Sequence, residues 1–164
     1  MTAAPDLSVV VPVMNEVDNA VPLLNEICAA LRGRIGFEVI FVDDASRDGT
    51  VAALLAAKAQ VPELRVLTHK KNSGQSRAVR TGVIAAKGKL VATLDGDGQN
   101  DPADIPLLLD VWRQSSAGEG ELGLVAGQRR LEIGVHPRDL PQEGRAVVAE
   151  RVLDLVGHAE LGGA

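Results

Sequence analysis

The alternation of two hydrophobic periods along this chain constrains its fold more than any other feature. Short β-branched runs recur, each followed by apolar residues at helical spacing. Leu7 to Val13 reads as a buried strand that Pro12 and the polar pair Asn15-Glu16 bring to an end. Val21, Leu24, Ile27, Cys28 and Leu31 then form one helical face, with Gly33 as its stop. Phe37 to Val42 is a second strand running into Asp43-Asp44-Ala45-Ser46. Asp48 and Thr50 can cap a helix over Val51 to Ala59, which Pro62 prevents from continuing. Leu64 to Thr68 is a third strand, and the helix after it runs from Gln75 to Ala86, capped by Asn72 or Ser73 and closed by Gly88. Leu90 to Leu94 is a fourth strand, emptying into Asp95-Gly96-Asp97-Gly98-Gln99-Asn100. Asp101-Pro102 opens a helix through Ile105, Leu108, Leu109 and Trp112. Leu122 to Ala126 is a fifth strand, ending in Gly127-Gln128-Arg129-Arg130. Strand and helix in turn predict an α/β fold, a mainly parallel sheet with helices on both faces. Leu131 to Arg145 shows no period, and Ala146 to Val156 reads as one amphipathic helix.

Composition narrows the function. A length of 164 residues suits one domain, and 46% hydrophobic residues suffice for a core. Two Phe, one Trp and no Tyr argue against recognition by aromatic stacking on single-stranded nucleic acid. A net charge of -5 argues against a general nucleic-acid binder. Any phosphate bound here must therefore be held locally, by a metal or a few placed cations. Cys28, the single cysteine, lies on an apolar helix face, allows no internal disulfide and suits a reducing cytosol. Met1 to Asp6 lacks the pattern of a signal peptide, and no apolar run is long enough to cross a bilayer, so membrane contact is expected only from the surface.

In open α/β sheets, ligands bind at the C-terminal ends of the strands. Three such ends carry acid here: Glu16, then Asp43 and Asp44, then Asp95 and Asp97. Carboxylates brought together repel unless a cation or hydrogen-bond donors sit among them. Asp95 and Asp97, two apart on extended backbone, can face one divalent ion, with the Gln99 amide oxygen as a further hard ligand. Mg²⁺ or Mn²⁺ fits such oxygen donors; a plain Asp/Gly turn is the other reading. A calcium loop of EF-hand type is disfavoured, because Asn100 stands at its glycine position and Pro106 at its final glutamate. Pro12-Val13-Met14-Asn15-Glu16 is no glycine-rich dinucleotide fingerprint, and no Walker loop is present. Asp43 and Asp44 either bind donor groups of a base or ribose or cap their loop beside Ser46. Asp101 and Asp104 read as helix caps, and His69, His136 and His158 as isolated surface residues. Lys70, Lys71, Arg77 and Arg80 lie either near a phosphate or on a solvated face.

Four motifs in order carry a resemblance. They are Val10-Val11-Pro12-Val13-Met14-Asn15-Glu16, then Val42-Asp43-Asp44-Ala45-Ser46 with Asp48-Gly49-Thr50, then Asn72-Ser73-Gly74, then Leu94-Asp95-Gly96-Asp97-Gly98-Gln99 with Pro102. Together, from about Ser8 to Arg129, they resemble the family-2 glycosyltransferases, and within them the dolichol-phosphate mannose synthase group with its bacterial polyprenyl-phosphate members. The resemblance implies a GT-A fold and a nucleotide-diphosphate sugar donor, GDP- or UDP-linked. It implies that Pro12, Glu16, Val42 and Asp44 line the nucleoside pocket. Asp95, Gly96, Asp97 and Gln99 would carry metal and diphosphate, with Asp97 as the catalytic carboxylate, and Arg129 would contact the donor phosphates. The reaction implied is metal-dependent, inverting transfer to a polyprenyl phosphate, by a cytoplasmic protein peripheral to the inner face of the membrane. A non-catalytic nucleotide-sugar-binding module is the alternative. Relatives often carry Tyr where Met14 stands, so base stacking there is expected to be weaker. The expected organisation is a donor-binding domain over 1–130 and an irregular tail over 131–164, a chain truncated after its donor half.

Overall fold

The structure, a computed structural model, describes residues 4–116, 124–126 and 147–150. Strand β1 (Leu7–Val13) is buried throughout, as its unbroken apolar run requires of a strand covered on both faces. Helix α1 (Val17–Leu31), β2 (Phe37–Asp43), α2 (Thr50–Ala57), β3 (Leu64–Thr68), α3 (Gln75–Ala85), β4 (Leu90–Thr93) and α4 (Asp104–Ser116) follow in strict alternation, then β5 (Leu124–Ala126) and β6 (Val147–Glu150). The expected elements up to Trp112 are all present, with ends shifted by a few residues.

The sheet order is β3-β2-β1-β4-β6-β5. β1 through β4 are parallel, Leu7 pairing with both Phe37 and Leu90. β6 enters antiparallel between β4 and β5, Val148 opposite both Ala92 and Val125. This corrects the helix expected from Ala146. Residues 147–150 are a strand, because β4 offers an unpaired edge and consecutive β-branched valines favour extended backbone over helix. The stretch expected to be an irregular tail thus supplies a strand to the main sheet; its other residues and the expected start of β5 at Leu122 lie outside the described residues.

Alternation along β1 sorts the core. Leu7, Val9, Val11 and Val13 pack with Leu24, Ile27 and Leu31 of α1, Leu54 of α2, and Ile105 and Leu109 of α4. Val10 faces the other way, toward Ala78 and Val83 of α3. Cys28 is buried on the α1 side, as its position on an apolar face predicted. Gly82 lets α3 lie close on the sheet, since a Cβ there would stand 2.4 Å from Val10 Cγ1. The chain moves from β1 to β2 to β3 in one direction and then returns across the sheet to β4. Right-handed crossovers put α1 and α2 on one face and α3 on the other.

Pro12 ends the pairing of β1 with β4. Val10 accepts from Leu94 N on the β4 side and Val13 from Asp44 N on the β2 side, so Pro12 faces β4 with no N–H to offer. The ladder on that side stops after the Leu94 N–H bond to Val10. Among the described residues no helix is long and apolar enough to cross a membrane.

Candidate functional site

The connections from β1 and β4 leave in opposite directions, so a crevice opens beyond their C-terminal ends. It is a cleft of about 450 Å³, within the usual range for small-molecule sites. It is lined by the end of β1, with Pro12, Val13, Met14 and Glu16, and beside it by Asp95, Gly96 and Asp97 after β4. Asp44 and the start of α3, with Asn72, Gly74, Gln75 and Ala78, complete it.

The β1 wall is held by the loop after β2. Asn15, in the left-handed region at φ 59, receives the Arg47 N–H on Oδ1 at 2.8 Å, and its own N–H donates to Ser46 Oγ at 2.8 Å. Glu16 N donates to Thr50 Oγ1 at 2.9 Å. Asp48 accepts from Val17 N at 3.2 Å and from Thr50 N at 2.9 Å, so one carboxylate serves the first turns of both α1 and α2. The Thr50 hydroxyl is foremost among the donors that hold the Asp48 carboxyl below its ordinary range. Met14 stands exposed at the mouth, with Asn72 Nδ2 2.8 Å from its sulfur.

Asp43, the last residue of β2, and Asp44, just beyond it, take different roles because successive residues of extended backbone point to opposite faces. Asp43 is buried, accepts from Ser46 N at 3.1 Å, and stays outside the cleft. Asp44 lines the cleft while its carboxylate gathers donors from behind: Ser73 N at 2.9 and 3.0 Å, Gly74 N at 2.7 Å and His69 Nδ1 at 2.7 Å. Burial pushes this carboxyl up, but the bonds from His69, Ser73 and Gly74 outweigh it and hold the group below its ordinary value.

Across the cleft, Asp95 Oδ1 accepts from Gln75 Nε2 at 2.7 Å and Asp97 Oδ1 from Gln99 N at 3.0 Å. Gly96 is obligatory, since a Cβ would stand 2.5 Å from Val13 Cγ1 and 2.6 Å from the Pro12 carbonyl oxygen. The two carboxylates on one wall are hard oxygen donors, the set that Mg²⁺ or Mn²⁺ takes together with substrate phosphate. Among the described residues no three His, Cys, Asp or Glu gather to hold an ion unaided, so an ion here would draw its remaining ligands from substrate or water.

Of the residues expected from the sequence, Pro12, Glu16, Asp44, Asp95, Gly96 and Asp97 share this cleft. Val42 does not line it: its side chain is fully buried against α3 with Val10 and Ala78, beneath the floor. The Gln99 side chain is exposed and outside the lining, and Arg129, His136 and His158 lie outside the described residues. Lys70, Lys71, Arg77 and Arg80 are exposed and none lines the cleft, and Asp101 accepts from Ala103 N at 2.8 Å in the turn that leads into α4.

His69 corrects the reading of an isolated surface histidine, for it is largely buried and engaged through both ring nitrogens. The available signal was positional. His69 directly follows a strand in register with β2, Thr68 opposite Asp43, so the next step sets it beside Asp44. Gln75 and Asn72 were likewise missed, because only the return of α3 over the sheet brings them to the cleft.

Comparison with known proteins agrees with this geometry. Residues 8–129 match the model of glycosyl transferase family 2. A dodecaprenyl-phosphate galacturonate synthase of Rhizobium johnstonii is 38% identical over 142 residues, which are 83% of this chain and 40% of that protein. An undecaprenyl-phosphate 4-deoxy-4-formamido-L-arabinose transferase of Pseudomonas fluorescens is 37% identical over 127 residues, 76% of this chain and 36% of that one. The chain thus spans about two fifths of the length of these curated relatives. A mannosyltransferase of Pyrobaculum calidifontis, solved with GDP-mannose and Mn²⁺, superposes with a TM-score of 0.71 at 25% identity, over 95% of this chain and 48% of that one. The fold is GT-A, as the sequence motifs implied. With sequence motifs, sheet order and cleft in agreement, the chain belongs to glycosyl transferase family 2.

Proposed function

We propose that this chain forms the donor-binding part of a metal-dependent, inverting glycosyltransferase, moving a sugar from a nucleotide diphosphate to a polyprenyl phosphate. The observation that carries this reading is the placing of Asp44 on one side of a single cleft and Asp95 with Asp97 on the other. Asp44 accepts an N–H or O–H from the nucleoside, beside Pro12 and Glu16. Val42 acts from below, setting the height of Ala78 at the cleft floor. Asp95 and Asp97, with Gln99 as a further oxygen ligand, would hold Mg²⁺ or Mn²⁺, and Arg129 would contact the donor phosphates. When bound, the ion supplies Lewis-acid stabilisation of the leaving diphosphate. Asp97 is the catalytic carboxylate in the sense that it would hold the ion whose positive charge offsets the negative charge of the departing diphosphate. A phosphate acceptor is ionised at neutral pH and needs no strong general base, so direct attack opposite the leaving group inverts the sugar carbon. Such an acceptor is a membrane lipid, which fits a protein working peripherally at the membrane, at its inner face in this reading. Relatives named for polyprenyl-phosphate substrates and a neighbour solved with GDP-mannose and Mn²⁺ support this reading.

The test is calorimetric titration of GDP, UDP and their sugars with and without Mn²⁺, on the wild type and on Asp97→Ala. Nucleotide binding that needs the ion and falls at least tenfold in Asp97→Ala is expected, the scale of a lost charged ligand. Binding indifferent to Mn²⁺ or to the substitution overturns the donor-site reading. Binding without transfer to a polyprenyl phosphate, in a protein extended to the length of its relatives, would leave a non-catalytic module instead.

A further inference from the structure

Behind Asp44 lies a hydrogen-bonded chain that no part of the proposed reaction uses. His69 leaves the end of β3 and its Nδ1 sits 2.7 Å from Asp44 Oδ1. On the far side of the ring, Nε2 is 2.9 Å from Thr81 Oγ1 on α3, itself 2.9 Å from the Arg77 carbonyl one turn earlier. The imidazole does not line the cleft. It bridges the carboxylate and the helix whose first turn forms one side of that cleft.

A carboxylate offers about four lone-pair positions. Within the protein, His69 Nδ1 and the Ser73 N–H meet Oδ1, while the Gly74 N–H and the same, shared Ser73 N–H meet Oδ2. Three donors spread over both oxygens fix the plane and tilt of the carboxylate where it lines the cleft. Ser73 and Gly74 belong to the turn before α3, where Gly74 has φ 90, so the donors that aim Asp44 also shape the cleft wall. Without His69, the carboxylate is held only by that turn and can rotate about its χ2, a broad torsion with little intrinsic preference. The Thr81 contact keeps the ring from swinging toward solvent and ties it to α3.

We propose that His69, braced by Thr81, is a positioning residue that aims the Asp44 carboxylate and the Ser73-Gly74 turn at the nucleoside. The inference rests on the nucleotide-sugar reading above. It assigns to His69 an effect on the nucleoside end of the cleft and none on the diphosphate end, where Asp95 and Asp97 stand. Neither His69 nor Thr81 touches the substrate.

The experiment uses the full chain and the variants His69→Ala, His69→Asn and Thr81→Val. Binding of GDP, UDP and inorganic pyrophosphate is measured by calorimetry, each with Mn²⁺, and exchange of the Ser73 and Gly74 amides by NMR. His69→Ala is expected to weaken whichever nucleotide the wild type binds by about tenfold, the loss of one hydrogen bond to a charged group, and to leave pyrophosphate unchanged. His69→Asn, whose amide can replace Nδ1 as donor to Asp44, is expected to recover most of the loss. Thr81→Val falls between. In the NMR arm, amide protection at Ser73 and Gly74 drops in His69→Ala and returns in His69→Asn, whether or not nucleotide is present. Equal nucleotide affinity in wild type and His69→Ala overturns the inference and leaves the donor site standing. So does a loss shared by pyrophosphate, or a failure of His69→Asn to recover either readout. A wild type that binds neither nucleotide overturns both readings together, whatever the amides show.

Discussion

Single side chains and single missing side chains decide the shape of the cleft. Gly96 is the sharpest case, because one of the atoms a Cβ would meet is the Pro12 carbonyl oxygen at 2.6 Å, backbone that cannot rotate away. Gly96→Ala is expected to cost about 1–3 kcal/mol, seen as a lower melting temperature, and to weaken nucleotide binding by displacing both flanking carboxylates. Unchanged stability and binding would mean that the wall is softer than its contacts indicate. Residue identity was largely legible in the sequence at this scale: the Asp and Gly of the segment after β4 are unusual enough in combination to be singled out. Their allocation was less so. Asp43 and Asp44 are the same residue type side by side, yet one caps its loop and the other faces the cleft, because strand geometry turns successive side chains to opposite faces.

Among elements, α3 governs the site, since its first turn and the loop before it contribute Asn72, Gly74, Gln75 and Ala78. Its distance from the sheet is set at Gly82, where a Cβ would meet Val10 Cγ1 at 2.4 Å and Val42 Cγ2 at 3.1 Å. Gly82→Ala gains about 1 kcal/mol in helix propensity. Overpacking against two stiff β-branched residues costs about 1–3 kcal/mol, so a net loss of stability is expected. Adding Val10→Ala should recover part of it, and a thermal melt of the single and double variants checks both statements. The element pattern was readable as far as β5, because each segment carries its own hydrophobic run and its own stop. It failed at residues 147–150. Two valines and two neighbours of mixed character suit either a short helix or a strand, and the β4 edge settled the matter in favour of a strand.

At the scale of the molecule, the two ends of the sheet do different work. The C-terminal end holds the cleft, while the opposite end is tied by buried Glu38, which accepts from Ser8 Oγ at 2.7 Å, Lys87 N at 2.6 Å and Arg65 Nη1 at 2.7 Å. Burial pushes the Glu38 carboxyl up, but Arg65, Ser8 and the Lys87 N–H prevail and hold it below its ordinary value. A carboxyl lowered on folding contributes stability above its unfolded-state pKa, and that contribution disappears as pH falls through the folded value. Asp44, Asp48 and Glu63 are lowered too, so stability should fall with acidification from about pH 5 downward. Glu38→Gln is expected to be less stable at pH 7 by about 1–2 kcal/mol. Its deficit should shrink in acid, because the wild type alone loses the Glu38 term there. Chemical denaturation across pH 3 to 7 measures this, and a deficit constant with pH would contradict it.

The sequence by itself determined what is local or periodic: the order of strands and helices up to β5, the parallel class of the sheet, and the acids at the ends of β1, β2 and β4. These follow from neighbouring residues alone, through side-chain periodicity and caps, and the chain needs no partner segment to express them. Only the tertiary structure decided which of two adjacent aspartates faces the cleft, that His69 stands behind Asp44, that Gln75 reaches Asp95, and that β6 closes onto β4. Each of these joins residues distant in sequence through strand register and helix packing. A shift of one residue in register would turn every side chain of a strand to the opposite face, so no local pattern could have specified them.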